Sequence, residues 1–248
     1  MKDKIIQLLE DANLLDSTIK KRLDLFTECI TTKPLHDLDY IFSWLEKIKN
    51  TNNFKVDKID LNEVLDEGNW FFDEKTGNMK HTSGGFFEII GVNIETTIRE
   101  SGKGWKQPMM DQGTESSIAG IIKKSFNGNF HYLLEGKFEP GNYGSVQLSP
   151  TLQVTYSNLN KLHGGKKPKF TEYFDSTKEV KILYDFWLPE DGGRFFKKRV
   201  KNMLVEIEKS EIIEIPSNYI WVTMNQIKEL LRHDNLINTH VRSIISHL

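Results

Sequence analysis

The sequence predicts an α+β protein, a mixed-sheet α/β sandwich in which the sheet is framed by helices at the two ends of the chain. Three observations predict it. Apolar residues recur at spacings of three and four before residue 50 and again after residue 223, while the middle of the chain alternates between apolar and polar. Regular strand–helix alternation, the mark of a doubly wound parallel sheet, is missing. At 248 residues, with 38% hydrophobic and 27% charged residues, the chain can bury one sizeable core.

The elements follow in order. Ile5, Leu8 and Leu9, then Ile19, Leu23, Phe26 and Ile30, predict two helices, the second capped by Asp16 or Ser17. Pro34 interrupts, and Leu38, Ile41, Phe42, Leu45 and Ile48 form the apolar stripe of a third helix, with Trp44 as flanking core. Residues 1–40 read as a helical extension for dimerisation or capping, ahead of a main domain over 41–248. From Asn69 a sheet begins, with a turn at Lys75-Thr76-Gly77 and a run, GFFEIIGVNI, apolar enough for a strand covered on both faces. The glycine-rich SGKG at 101–104 reads as a turn. Asn127-Gly128 predicts a tight hairpin. VKILYDFWL is a further strand, and Thr223 caps a helix on Met224, Ile227, Leu230 and Leu231 before a short final helix.

Composition excludes several classes. Lys+Arg 33 against Asp+Glu 35 leaves a net charge of -2, so nothing global attracts nucleic acid or an anionic membrane. The single cysteine, Cys29, sits among helical apolar residues and reads as a buried thiol in a reducing compartment. No apolar run approaches a membrane span and the start is acidic, which places the expected location in the cytoplasm. There is no GxGxxG, P-loop, HExxH or GxSxG, and the seven histidines lack metal spacing, so no metal or nicotinamide site is expected.

The informative stretch is Lys137 to Gly165. After a turn between Pro140 and Gly144, Val146, Leu148, Leu152 and Val154 fall on one parity, with Gln147, Gln153 and Thr155 on the other. The reading is a strand that displays amides and hydroxyls on one face, followed by Ser157, Asn158 and His163, a surface suited to a polyol. Ser149-Pro150-Thr151 interrupts the alternation, as an edge or bulge would. Farther on, Arg194, Lys197, Lys198, Arg199 and Lys201 form a cationic cluster, either a diphosphate site or a lysine-guarded strand edge.

EPGN, QLSPTLQVTYSN and HGG, with HTSGGFFEIIGV (His81 to Val92), WKQPMMDQ (Trp105 to Gln112), EYF (Glu172 to Phe174), GGRFFKKRVKN (Gly192 to Asn202) and WVTMNQIKELL (Trp221 to Leu231), resemble the signature of the NDP-hexose 2,3-dehydratases. The resemblance runs from about Phe42 to the C-terminus. It implies a Nudix-like fold without the Nudix box, and a carbon–oxygen lyase acting on a nucleotide-linked 4-keto-6-deoxyhexose. Family members resemble two tandem copies where this chain shows one, which implies a homodimer. Here Leu188, Pro189, Glu190 and Asp191 replace the usual residues before the glycines, and His240 stands where an acidic residue is common.

The implied chemistry needs a base for the C3 proton, donors for the developing enolate, and an acid for the departing C2 hydroxyl. No cofactor is implied. Glu139 or His163 is the expected base, with Lys137 or Tyr173 as donor. His81, Gln147 and Asn158 are expected to orient the sugar hydroxyls, Trp105 and Gln107 to hold a thymine and Arg194 and Arg199 the diphosphate, with Asn142, Thr151, Gln153, Ser157 and Asn202 as further substrate-binding residues. The product, a 3,4-diketo sugar, would pass to a 3-ketoreductase. A sugar-nucleotide-binding protein without activity and a structural subunit are the alternative readings.

Overall fold

The computed structural model describes residues 2–97, 103–159 and 167–248. The chain opens with α1 (Lys2–Asp11), α2 (Ser17–Thr31) and α3 (Leu38–Thr51). Asp16 caps α2, its side chain accepting from the backbone N–H of Ile19 at 2.7 Å, and Asp37 caps α3 in the same way through Tyr40. On α3, Ile41 and Leu45 are buried, and Trp44 lies half-buried with its indole N–H on the Ser217 carbonyl at 2.9 Å. A fourth helix, α4 (Leu61–Asp66), was not expected, although Asp60 and Glu63 form a capping box there.

Two sheets follow. The first is an antiparallel meander of β1 (Trp70–Phe72), β2 (Met79–His81), β3 (Glu88–Ile94) and β4 (Trp105–Asp111), in that order. The expectation for GFFEIIGVNI is corrected here: no residue of β3 is fully buried, and its second half alternates half-buried Val92 and Ile94 with exposed Gly91 and Asn93. A small meander needs only one covered face, so its strands alternate rather than run apolar throughout.

The second sheet carries the core. It contains β5 (Glu115–Phe126), β6 (Asn129–Phe138), β7 (Val146–Ser149) and β8 (Leu152–Thr155), then, after α5 (Tyr156–Leu159) and a 3₁₀ turn at Thr171–Tyr173, β9 (Lys181–Pro189), β10 (Arg199–Glu206) and β11 (Tyr219–Val222). The order β11-β6-β5-β10-β9 is mixed, with β10 parallel to β5 and the other pairs antiparallel. The α+β, mixed-sheet expectation therefore holds. Asn127 and Gly128 close the β5–β6 hairpin at φ of 50° and 82°, the left-handed pair that a two-residue turn requires. The helices α6 (Met224–Leu230), capped by Thr223, and α7 (Thr239–Ile245), capped by Asn238, end the chain.

The central strands fork. From Phe126↔Asn129 to Ile122↔Leu133, β5 and β6 pair with each other; beyond that point β6 pairs with β7 and β5 with β8. Thr151 sits buried at the vertex, where its hydroxyl accepts from the Ile122 N–H at 2.9 Å and donates to the Leu133 carbonyl. One side chain thus replaces the ladder bond that the fork breaks.

The interruption at Pro150 also exchanges faces. Val146 and Leu148 join the cluster beneath the helices, with Ile41, Leu134, Ile227 and Val241, whereas Leu152 and Val154 join the opposite cluster with Ile118, Leu133, Phe174 and Trp221. The expectation of one strand with all its amides on one face is therefore corrected. Gln147, paired with Lys137, and Gln153, paired with Ala119, lie on opposite faces because the chain reverses between two different partner strands.

Glycines set how closely the layers approach. A Cβ on Gly120 would fall 2.2 Å from the Phe174 ring, and one on Gly136 would fall 2.9 Å from Ile48 of α3. The first two helices are tied on by Glu28, whose side chain is 10% exposed; it meets Lys123 Nζ at 2.6 Å and accepts from the Tyr132 hydroxyl at 2.7 Å. Among the described residues, no helix is long and apolar enough to cross a membrane.

Candidate functional site

The fork opens a cavity of about 400 Å³ on the face away from the helices. Thr151 marks its closed end; Leu152, Val154 and Asn158 form one wall, Glu135, Asn218 and Tyr219 another, and Pro168, Lys169 and Pro216 its cover. Lys137 and Gln153 also line it. The pairing explains the space: β7 and β8 join at Pro150-Thr151 but bond outward to different strands, so the gap between them widens away from the vertex.

Polar side chains fill that gap. Lys137 Nζ donates to the Gln153 carbonyl at 2.9 Å and lies 3.9 Å from Glu139 Oε1. Gln153 Nε2 donates to Glu139 Oε1 at 3.0 Å, and Asn238, the cap of α7, reaches Glu139 Oε2 at 3.4 Å. The other end of the Gln153 amide, Oε1, is buried without a partner. Inside the cavity Glu135 accepts from Asn218 Nδ2 at 3.2 Å and from the Tyr219 hydroxyl. Burial holds the Glu135 carboxyl above its ordinary range, with Lys137 and the Tyr219 hydrogen bond pulling it partly back. Burial beside Glu135 likewise raises the Tyr219 phenol.

A second polar group lies behind the gap. His240 Nε2 and Lys198 Nζ stand 3.6 and 3.8 Å from Glu190 Oε1, and burial lowers the pKa of both bases. Among the described residues, no cluster of His, Cys, Asp or Glu has the makings of a metal site.

Of the residues expected from the sequence, the structure gathers Lys137, Thr151, Gln153 and Asn158 around the cavity, with Glu139 at its edge. His163, with Gly164 and Gly165, lies outside the described residues, as do Ser101 and Gly102. Tyr173 is buried elsewhere, its hydroxyl donating to Glu211 at 2.9 Å and accepting from Lys178 at 3.2 Å. Gln147 donates to the Asn235 carbonyl, the Asn142 amide meets the carbonyls of Lys137 and Ser145 within its own turn, and Ser157 bonds Thr155. Asn202 is buried on the helix side with its Oδ1 unpartnered.

The remaining expected residues form a separate surface. Trp105 Nε1 donates to Gln107 at 2.7 Å, and Gln107 Nε2 reaches the Gly193 carbonyl at 3.0 Å, beside Arg194. Arg194 is 73% exposed and forks onto Asp191, while Arg199 pairs with Glu115 and lies over Trp187. His81 packs against Trp70 and Phe86 in the first sheet and bonds Ser83. Sequence reasoning missed Glu135, Asn218 and Tyr219. Glu135 sits two residues before Lys137 on the same strand parity, which was the available signal.

The family model for NDP-hexose 2,3-dehydratase matches residues 38–248. The chain belongs to the NDP-hexose 2,3-dehydratase family. The family match takes in both sheets, the fork and the cavity. Among curated members, a dTDP-4-dehydro-6-deoxy-alpha-D-glucopyranose 2,3-dehydratase from Amycolatopsis orientalis is 38% identical over 210 residues, covering 82% of this chain and 43% of that one. A protein of the same name from Saccharopolyspora spinosa is 35% identical over 203 residues, covering 82% and 40%. The chain thus spans less than half the length of these family members. Solved structures show only a distant likeness: an ADP compounds hydrolase at 13% identity and TM-score 0.39 over 65% of this chain and 83% of that one, and a Nudix hydrolase from M. smegmatis at 11% and 0.31 over 63% and 97%. Likeness at that level decides nothing about chemistry.

Proposed function

We propose that the chain is a dehydratase that removes the C2 hydroxyl of a nucleotide-linked 4-keto-6-deoxyhexose, the nucleotide being dTDP as in the names of its relatives. One observation carries the reading: within the family-matched region, the forked sheet opens a cavity in which a carboxylate and an ammonium share one wall. The C4 ketone acidifies the C3 proton, a carboxylate removes it, and Lys137 stabilises the charge that develops on the ketone oxygen. Loss of the C2 hydroxyl then gives an enol that tautomerises to a 3,4-diketo sugar. These steps draw on side chains alone. The 3,4-diketo product calls for a ketoreductase as the next enzyme.

Trp105 and Gln107 would take the thymine, and Arg194 and Arg199 the diphosphate, displacing Asp191 and Glu115. A homodimer completes the proposal, since Leu8, Phe26 and Ile30 stand exposed on the first two helices and Leu14 on the link between them. The test is incubation of the purified protein with dTDP-4-dehydro-6-deoxyglucose in deuterated water. Loss of the C2 hydroxyl with deuterium incorporation is expected. Tight dTDP binding with neither exchange nor elimination would replace the enzyme with a binding protein.

A further inference from the structure

We infer that Glu135, inside the cavity, is the base that takes the C3 proton, with Tyr219 as its partner, and that Glu139 serves to position Lys137; this rests on the dehydratase reading above. Glu135 and Lys137 share one face of β6 and line the same cavity. Tyr219 stands opposite Glu135 on β11 and Ser149 opposite it on β7, so the carboxylate is held between two strands. The Tyr219 hydroxyl and Asn218 Nδ2 both donate to it, while the Ser149 hydroxyl is fully buried with no partner.

Leu152 and Val154, with Asn158 at their end, face Glu135, and Pro168, Lys169 and Pro216 cover the space, so a substrate there would displace water from around the carboxylate. Burial raises the Glu135 pKa, which makes the carboxylate a stronger base. Glu139 is placed differently. It is absent from the cavity lining, and its two oxygens are already engaged by Gln153 and Asn238, with Lys137 nearby. Its geometry suits holding Gln153 and Lys137 in place.

The step balances. The Glu135 carboxylate takes the C3 proton, and the C–H electron pair passes into the enolate whose oxygen faces Lys137. The enolate pair then returns to form the C2–C3 double bond as the C2–O bond breaks. The departing hydroxide leaves as water with a proton from the Glu135–Tyr219 pair, which restores the starting state.

The experiment compares Glu135→Gln, Glu135→Asp and Glu139→Gln with the parent on dTDP-4-dehydro-6-deoxyglucose. Elimination, C3 exchange, dTDP affinity, the pH profile of kcat and thermal unfolding are all read. Glu135→Gln is expected to lose about 10²- to 10⁴-fold in turnover, with dTDP affinity changed by less than about threefold. Its melting temperature should equal or exceed the parent's, because a buried charge has gone. Glu135→Asp, which keeps the carboxylate, should recover part of the rate. Glu139→Gln should keep the parent's acidic pH limb, with a loss of about tenfold or less. A parent that eliminates while Glu135→Gln does so at a similar rate overturns the assignment alone. A parent that neither exchanges nor eliminates removes the dehydratase reading and this assignment with it.

Discussion

Lys137 Nζ donates to the Gln153 carbonyl at 2.9 Å across the gap where the central sheet forks, joining two strands that do not pair with each other. The same ammonium lines the cavity, so it has a structural partner and a free approach to a ligand.

Lys137→Met removes both functions. The lost hydrogen bond should lower stability by about 0.5–1.5 kcal/mol. The lost charge should lower turnover by about 10²- to 10³-fold, as removal of an oxyanion donor does. Urea unfolding and steady-state kinetics measure the two separately. Parental turnover in a folded Lys137→Met protein would take the enolate elsewhere.

Arg194 and Arg199 already hold carboxylates, Asp191 and Glu115, which makes a paired test available. Arg194→Lys and Arg199→Lys should each weaken dTDP binding by roughly tenfold, since a point charge loses the forked geometry. Asp191→Asn, which frees Arg194, should tighten it. Calorimetric titration reads all three, and unchanged binding throughout would return the cluster to a solvated strand edge.

Leu8, Phe26 and Ile30, on the first two helices, are 69, 57 and 61% exposed. Sedimentation should find a homodimer at micromolar concentration. Leu8→Glu with Phe26→Glu should split it and leave the circular dichroism spectrum unchanged. A parent that sediments as a 28.8 kDa monomer would remove the proposal.

His131 is fully buried, with Nδ1 donating to the Asn129 carbonyl at 3.0 Å and Nε2 unpartnered. Burial depresses its pKa; the Asn129 bond and Glu28 act against that, and His36 adds to it. The folded protein therefore resists a proton that the unfolded chain accepts at about pH 6.5. The stability this supplies is complete above that pH and is lost as pH falls through the window down to the folded value. Urea unfolding from pH 7.5 to 5 should show the parent weakening more than His131→Gln. Equal slopes would mean that His131 titrates alike in both states.

Local chemistry made much of the fold legible in the sequence. The caps at Asp16 and Thr223, the stripe through Ile41 and Leu45, and the Asn127-Gly128 turn each depend on residues within a few positions of one another. Lys137, Thr151, Gln153 and Asn158 could be picked out for the same reason, as a concentration of polar residues around turns.

What the sequence determined by itself was most of the element types, the family signature and the stretch from which the cavity draws several of its lining residues. Only the tertiary structure decided which side chains share a space. Gln147 and Gln153 have the same parity yet face opposite ways, because β7 and β8 bond to different strands, and no periodicity count registers a change of partner. Glu135 reads along the chain as one more strand carboxylate. It becomes a base candidate through Tyr219 and Asn218, more than eighty residues away, and through the fork that opens a cavity in front of it. A carboxyl's pKa depends on burial and on donors that long-range pairing delivers, and that pairing is what a linear reading lacks.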